Sequence, residues 1–362
     1  MKQIVCLSNT PWRSIPSRTQ QLMTRMKGVQ VLFFEPASGR RDRSWRKGGR
    51  RVRPEVTVYT LPPVSTQNEL YLPLFRMGQR KVARFINRQL DKHRFRSFLL
   101  WTTSPVHVHL LDHLSYDGLV YDCDREWTEL PELWEGTLAR TADVVFAASH
   151  ELLDELSPCS ANIALLPNGV HYSLFSHGSN TTERLLPQVS GPIFCWTGTI
   201  HPDLNLSPVL HAAAQRPDWT FLLVGRPDED NPYLSRLKRL PNVILTGQRP
   251  LVELPDYLAR SQVCINLLRE DAPYSDIIPS RIYEYLSTGN PIVSMLWPDQ
   301  VEQFPDVVYG AYTEQSFVEL CERALAEDRT WVAERRRKYG AEAAWSRRAE
   351  DVLHILNTVG LL

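Results

Sequence analysis

Residues 276–293, Asp-Ile-Ile-Pro-Ser-Arg-Ile-Tyr-Glu-Tyr-Leu-Ser-Thr-Gly-Asn-Pro-Ile-Val, hold the densest chemistry in the chain. Pro279-Ser280 marks a helix start and Gly289 its end. Asn290-Pro291 then turns the chain into the apolar run Ile292–Ser294. The amides of a helix start are unpaired and carry the positive end of the helix dipole, so they suit a diphosphate. Arg281, in the first turn, adds charge-assisted bonds to such a group. Glu284, one turn on, offers a carboxylate that accepts two hydroxyl hydrogen bonds, as a ribose needs. A lone Glu on a helix is ordinarily a solvated surface residue. The company of Asp276, Gly289 and Pro291 at these spacings favours a binding role.

Other groups stand at the ends of apolar runs. Gly198-Thr199 and Gly225-Arg226 each follow a strand-like segment, where a tight turn or a close backbone approach calls for glycine. Neither belongs to a G-x-G-x-x-G, which argues against a dehydrogenase. Asp122 and Asp124 flank Cys123 at the end of Leu119–Tyr121. They are either proton acceptors or caps of the following helix. His107, His109 and His113 lack an H-E-x-x-H pattern and a nearby Cys pair, so they read as non-metal residues. No acidic D-x-D closes a strand in the second half, and no metal or other cofactor is expected.

These groups need a scaffold that presents strand ends. Apolar runs of four to six residues alternate with amphipathic segments along the whole chain, as in a parallel sheet covered on both faces by helices. The runs Ile4–Leu7, Val31–Phe34, Val56–Leu61, Phe98–Trp101, Leu119–Tyr121, Val144–Ala147 and Ile163–Leu166 fill the first half. A polar stretch, 171–190, reads as a linker. The pattern restarts with Ile193–Trp196, Phe221–Val224, Val243–Leu245, Val263–Leu267, Ile292–Ser294 and Val307–Tyr309. In 362 residues this gives two Rossmann-like α/β domains, 1–172 and 190–340, facing across a cleft. A charged helical segment runs from Arg329 to Leu356. Its last part has an apolar face that must find a surface to cover.

The 276–293 segment resembles the E-x7-E region of retaining glycosyltransferase family 4, of the GT-B fold, with Asp276 in place of the first Glu. Leu165-Leu-Pro-Asn-Gly-Val-His171 is similar to the family's I-P-N-G-V-D. Trp196-Thr-Gly-Thr, Leu222-Leu-Val-Gly225 and Asn242-Val-Ile-Leu-Thr-Gly247 resemble its later turns and strand ends. Trp345-Ser-Arg-Arg-Ala-Glu-Asp-Val-Leu resembles its terminal helix, which implies that 341–362 crosses back to the first domain. Arg18-Thr-Gln-Gln-Leu-Met and Val120-Tyr-Asp-Cys-Asp124 resemble a subset that assembles bacterial surface polysaccharides of teichuronic-acid type. The resemblance implies a nucleotide-sugar donor, with Glu284 on the ribose and Asp276 by the sugar. Ser280, Arg281, Gly198 and Thr199 would meet the diphosphate. The family's usual Lys is absent after Gly198, which leaves Arg226 and Arg281 as its substitutes. The implied reaction is transfer to a glycan or lipid-linked glycan, with retention. A catalytically silent scaffold and a nucleotide-sugar epimerase are the alternatives on the same fold.

Composition bounds the setting. Residues 1–180 carry 23 Lys and Arg against 17 Asp and Glu, so an otherwise neutral chain has a basic first half. The run Arg40–Arg53 holds eight basic residues, one acidic residue and Trp45. No nucleic-acid motif accompanies it, and it is expected to meet an anionic membrane surface. The six cysteines form no C-x-x-C, which reads as reduced thiols in the cytoplasm. No apolar run is long enough to span a bilayer. A cytoplasmic protein, peripheral at the inner membrane face, is the expectation.

Overall fold

The computed structural model describes residues 2–13, 15–64, 72–178, 189, 191–269, 276–295, 302–328 and 330–362. It divides into two compact units, Met1–Pro167 with Trp345–Leu362, and Asn168–Ala344. Most of the expected linker, 179–188, lies outside the described residues.

The first unit runs β1 (Lys2–Leu7), α1 (Arg18–Met23), β2 (Val29–Glu35), β3 (Arg50–Arg51), β4 (Val56–Thr60), α2 (Leu72–His93), β5 (Leu99–Thr102), a 3-10 helix (Pro105–His113), β6 (Gly118–Cys123), α3 (Glu132–Thr141), β7 (Val144–Ala147), α4 (His150–Leu156) and β8 (Ile163–Leu165). The sheet order is β3-β4-β2-β1-β5-β6-β7-β8. All pairings are parallel except that of β3, an antiparallel edge pair inside the basic run. The order reverses at β1, so a crevice opens beyond the carboxyl ends of β1 and β5. Ile4, Val5, Cys6 and Leu7 are all fully buried, as both faces of a covered sheet require. Helix α1 starts in a capping box of Ser17 and Gln20. It stops at Met23, where the Thr24 Oγ1 hydroxyl donates back to the Gln20 carbonyl at 2.7 Å.

The second unit runs α5 (Tyr172–Phe175), β9 (Ile193–Thr197), α6 (Ser207–Gln215), β10 (Thr220–Val224), α7 (Leu234–Leu237), β11 (Val243–Gly247), α8 (Leu254–Ala259), β12 (Val263–Asn266), α9 (Ser280–Thr288), β13 (Ile292–Ser294), β14 (Tyr309–Gly310), α10 (Glu314–Leu325) and α11 (Thr330–Glu342). Its six strands stand in the order β11-β10-β9-β12-β13-β14, all parallel. The reversal falls between β9 and β12, which places Gly198 at the switch point. Helix α7 starts only at Leu234, and Asn231 before it serves a loop. Its side-chain amide donates to the carbonyls of His201, Pro202 and Leu204.

The terminal segment is two helices rather than one. Between α11 and α12 (Trp345–Thr358) the chain breaks at Ala343-Ala344, where the Ala343 carbonyl accepts the Val170 amide at 2.9 Å. Helix α12 belongs to the first unit. Its Trp345, Val352 and Leu356 pack in one cluster with Ile4, Leu22 and Val144.

Candidate active site

In the second unit, the predicted donor residues gather on α9 and the turn after β9. Helix α9 begins at Ser280 with no side-chain cap, so its first amides stay available to an anion. Gly289 ends it in the left-handed conformation, φ 85°. Asn168, from the P-N-G stretch, donates to the Ile278 carbonyl at 3.0 Å and fixes the approach to the helix. The Arg281 guanidinium lies over the Trp196 ring, 3.7 Å from its centroid. Burial lowers the guanidinium's pKa, opposed by Tyr285 and Glu284. Burial also pushes the Glu284 carboxyl up to about 7 against the pull of Arg281. Among the described residues, no hydrogen-bond donor reaches the Glu284 carboxylate.

Gly198 holds φ 139°, and a Cβ there would sit 3.4 Å from Arg281 Cζ. A side chain would therefore fill the space over the cation. The Gly198 amide donates to the Val224 carbonyl, and that of Ile200 to the Arg226 carbonyl, both at 2.9 Å. The turns after β9 and β10 are thus laced backbone to backbone. A Cβ at Gly225 would overlap the Gly198 carbonyl oxygen. Gly225→Ala is accordingly expected to push the Gly198 turn out of place. It should lower donor turnover on the order of 100-fold, since about 1 Å of misplacement costs that much. Unfolding should stay cooperative. Unaltered donor kinetics in this variant would show that the Gly198 turn plays no part in the site.

Arg226 and Thr199 are exposed on these two turns. Asp276 is half-buried before α9, with its backbone carbonyl near Gln303 Nε2 at 3.5 Å. Residues 270–275 lie outside the described residues. Two supporting residues escape sequence reasoning. Trp196 forms the platform for Arg281. Tyr285 accepts the Thr197 amide at 2.9 Å and ties α9 to the end of β9. Burial holds that phenol well above its ordinary pKa, so it stays protonated.

In the first unit the two aspartates at the end of β6 have different surroundings. Asp122 is fully buried, and its Oδ1 accepts Arg18 Nε and Nη2 at 3.1 and 2.9 Å. It is a partner of Arg18 rather than a group open to solvent. Asp124 is half-buried, 3.8 Å from Arg125 Nε. Burial and the neighbouring Asp122 push its carboxyl up to about 6, with Arg18 and Arg125 opposing. An open cavity of about 590 Å³ lies at the carboxyl ends of β1, β2, β4 and β5, lined by Asn9, Arg40, Gln79, His107, Arg125 and Trp127 among others. Arg125 stacks on Trp127 at 4.7 Å. His107 is buried against Thr102 Oγ1 at 2.5 Å, and burial lowers its pKa to about 4. His109 packs edge-on between Phe75 and Trp134, as a structural histidine does.

Comparison with known proteins fits this architecture. A family model described as glycosyl transferase-like matches residues 207–354, which include the Gly225 turn and all of α9. The chain is 30% identical over 266 residues to a protein assigned to teichuronic acid biosynthesis as the glycosyltransferase TuaH in Bacillus subtilis (strain 168). That alignment covers 66% of each chain, just under two thirds of the relative's length. Among solved structures, sucrose-phosphate synthase from Thermosynechococcus elongatus superposes with a TM-score of 0.77 at 16% identity, over 99% of both chains. HepE from Anabaena, solved in complex with UDP, gives 0.71 at 14% identity over 99% of this chain and 100% of that one. The fold is GT-B. The matched domain and the relative are both of glycosyltransferase type, which supports a transferase on this fold.

Proposed function

We propose that the chain transfers a sugar from a UDP- or GDP-sugar to a glycan or lipid-linked glycan acceptor in bacterial surface polysaccharide assembly, with retention at the anomeric carbon. The observation that carries the reading is on α9. Arg281 and Glu284 lie one turn apart at an uncapped helix start, and Arg281 lies beneath the Gly198 turn. Glu284 holds the ribose hydroxyls. Arg281, the Ser280 amide, the Gly198-Thr199 turn and Arg226 hold the diphosphate, with Asp276 by the donor sugar. The same cation and amides stabilise the departing diphosphate, and the reading calls on no metal or other cofactor. The UDP complex of HepE supports UDP as the nucleotide, and the resemblance to TuaH supports an anionic surface polysaccharide as the pathway.

In a retaining transfer the leaving phosphate takes the acceptor proton. Asp124, with its raised pKa, is the proton acceptor of an inverting route. The anomeric configuration of the product by NMR separates the two. The setting proposed is the cytoplasmic face of the membrane, with segment 40–53 against anionic lipid. Among the described residues no helix is long and apolar enough to cross a bilayer.

A thermal-shift series with UDP, GDP and NAD tests the donor site. At a hundredfold its Kd a ligand stabilises by about 2.7 kcal/mol. A shift with UDP or GDP that Glu284→Ala abolishes supports the reading; no shift with any nucleotide favours the silent scaffold. Labelled donor with a membrane lipid extract then separates transfer, with label in lipid, from epimerisation, with label only in free sugar.

The raised pKa of Glu284 adds a pH signature. Hydroxyls donate to the ionised carboxylate, so binding needs the deprotonated form. With a carboxyl near 7, the ionised fraction rises from about a tenth at about pH 6 to about nine tenths at about pH 8. UDP affinity should rise about tenfold across that window in calorimetric titrations, and Glu284→Gln should flatten the profile. The linkage in the free protein has the opposite sense. A carboxyl raised on folding contributes stability below its unfolded pKa, and that stability is lost as pH rises through about 7.

A further inference from the structure

We propose that the exposed face of α2, joined to the basic segment 40–53, docks on an anionic lipid bilayer, with Leu74 and Met77 entering the interface. The inference rests on the membrane contact proposed for that segment, and it assigns to α2 a role that the sequence did not. The inner face of α2 is ordinary core, with Phe75, Val82, Ala83, Ile86 and Leu90 all buried. The outer face carries Leu74, Met77, Lys81, Arg84 and Arg88, at alternating spacings of three and four, which place them in one stripe. Leu74 and Met77 are 52% and 65% exposed, among the most exposed large apolar side chains described. Arg76 and Arg80 flank them. The exposed charges of α2 are six cations and Asp91. Among the described residues, none of Arg76, Arg80, Arg84 and Arg88 carries an ion pair.

The basic segment lies against this helix. The Trp45 ring meets Phe85 edge-on at 6.1 Å, and Lys81 Nζ stands 5.3 Å over the same ring. Arg50 is held by Glu35 at 2.9 Å. Arg40, Arg41, Arg43, Arg46, Lys47 and Arg53 remain exposed and, among the described residues, without ion pairs. Two segments distant in sequence thus build one cationic surface with an apolar end. Cations alone would serve any polyanion. Exposed apolar side chains on a basic helix suit the headgroup boundary of a bilayer.

Flotation of the full chain with phosphatidylcholine vesicles, with and without about 30% phosphatidylglycerol, tests this. Wild type should bind the anionic vesicles selectively. Each cation removed should weaken binding about fivefold, so R80Q/R84Q/R88Q should bind on the order of 100-fold less tightly. L74S/M77S should lose about tenfold. Equal binding to both vesicle types, unchanged binding of R80Q/R84Q/R88Q or of L74S/M77S, or retention on heparin with no vesicle binding overturns the proposal. R41Q/R43Q/K47Q reports on the loop separately. Loss in this variant with an intact helix response upholds both contacts; loss here alone leaves the loop reading and removes the helix. The UDP-induced thermal shift should be unchanged in all three variants, so a failed membrane contact is distinguishable from a failed donor site.

Discussion

Glu284→Ala should lower kcat/KM for the donor by 100-fold or more and abolish the thermal shift with UDP. The size follows from the bonds removed. A hydrogen bond to a charged group is worth about 1.5–3 kcal/mol, and each 1.4 kcal/mol is about a factor of ten. A carboxylate that accepts both ribose hydroxyls therefore accounts for roughly two to four decades. The loss belongs mainly to donor affinity, because the ribose is remote from the bond that breaks and binds alike in ground and transition states. Arg281→Met should divide its effect differently. The guanidinium faces a diphosphate whose charge grows as the sugar leaves, so kcat should fall by at least as much as donor affinity. Trp196→Leu keeps the cation and removes the surface on which it lies. It should resemble a weaker Arg281→Met. Steady-state kinetics with titrated UDP-sugar separates these cases. A Glu284→Ala enzyme with wild-type donor KM would remove Glu284 from the ribose site, whatever the fate of the rest.

What could be read in advance and what could not has a physical pattern. Helix α9 was legible at both ends, because Pro279-Ser280 and Gly289 state its limits through local backbone chemistry. The two α/β sheets were legible because strands buried on both faces leave continuous apolar runs. The helix break at Ala343-Ala344 was not, since neither residue is a helix breaker. The interruption comes from the Val170 amide, far away in sequence. The last strand was expected at Val307–Tyr309 and forms at Tyr309–Gly310, because Arg336 takes the Val307 carbonyl at 2.8 Å. Arg18 as the partner of Asp122, and Trp196 beneath Arg281, are contacts between residues about 85 to 104 positions apart. Spacing within one element carries no trace of them. Trp196 in particular has the signature of a core strand residue, and it is one: fully buried, with a single face given to the cation.

Arg336 shows how the donor helix is held from behind, and Arg336→Met should be among the most destabilising single changes in the second unit. The guanidinium is fully buried and meets Glu327 through two bonds, 2.6 and 2.8 Å. It also donates to the carbonyls of Val307 and Gly289. Gly289 is the residue that ends α9. A few residues on, the backbone of α11 comes so close to α9 that a Cβ at Gly340 would overlap Ser287. Removing one partner of a buried pair costs roughly 3–5 kcal/mol, because the remaining charge has lost its counter-ion. At about 2–4 °C per kcal/mol, the melting transition should fall on the order of 10 °C. The paired variant Arg336→Met/Glu327→Met should fall less than Arg336→Met alone, with a coupling of about 1–3 kcal/mol in the double-mutant cycle. Strict additivity would mean that the packing of the arginine, not its charge, is what the fold depends on. Donor affinity gives an independent reading. Arg336 acts at the carboxyl end of α9 and the ligand groups stand at its start. Well below the transition, UDP affinity should therefore hold within about threefold, and a larger loss would mean that the α11 contact sets the position of Arg281 and Glu284 as well as the stability of the helix that carries them.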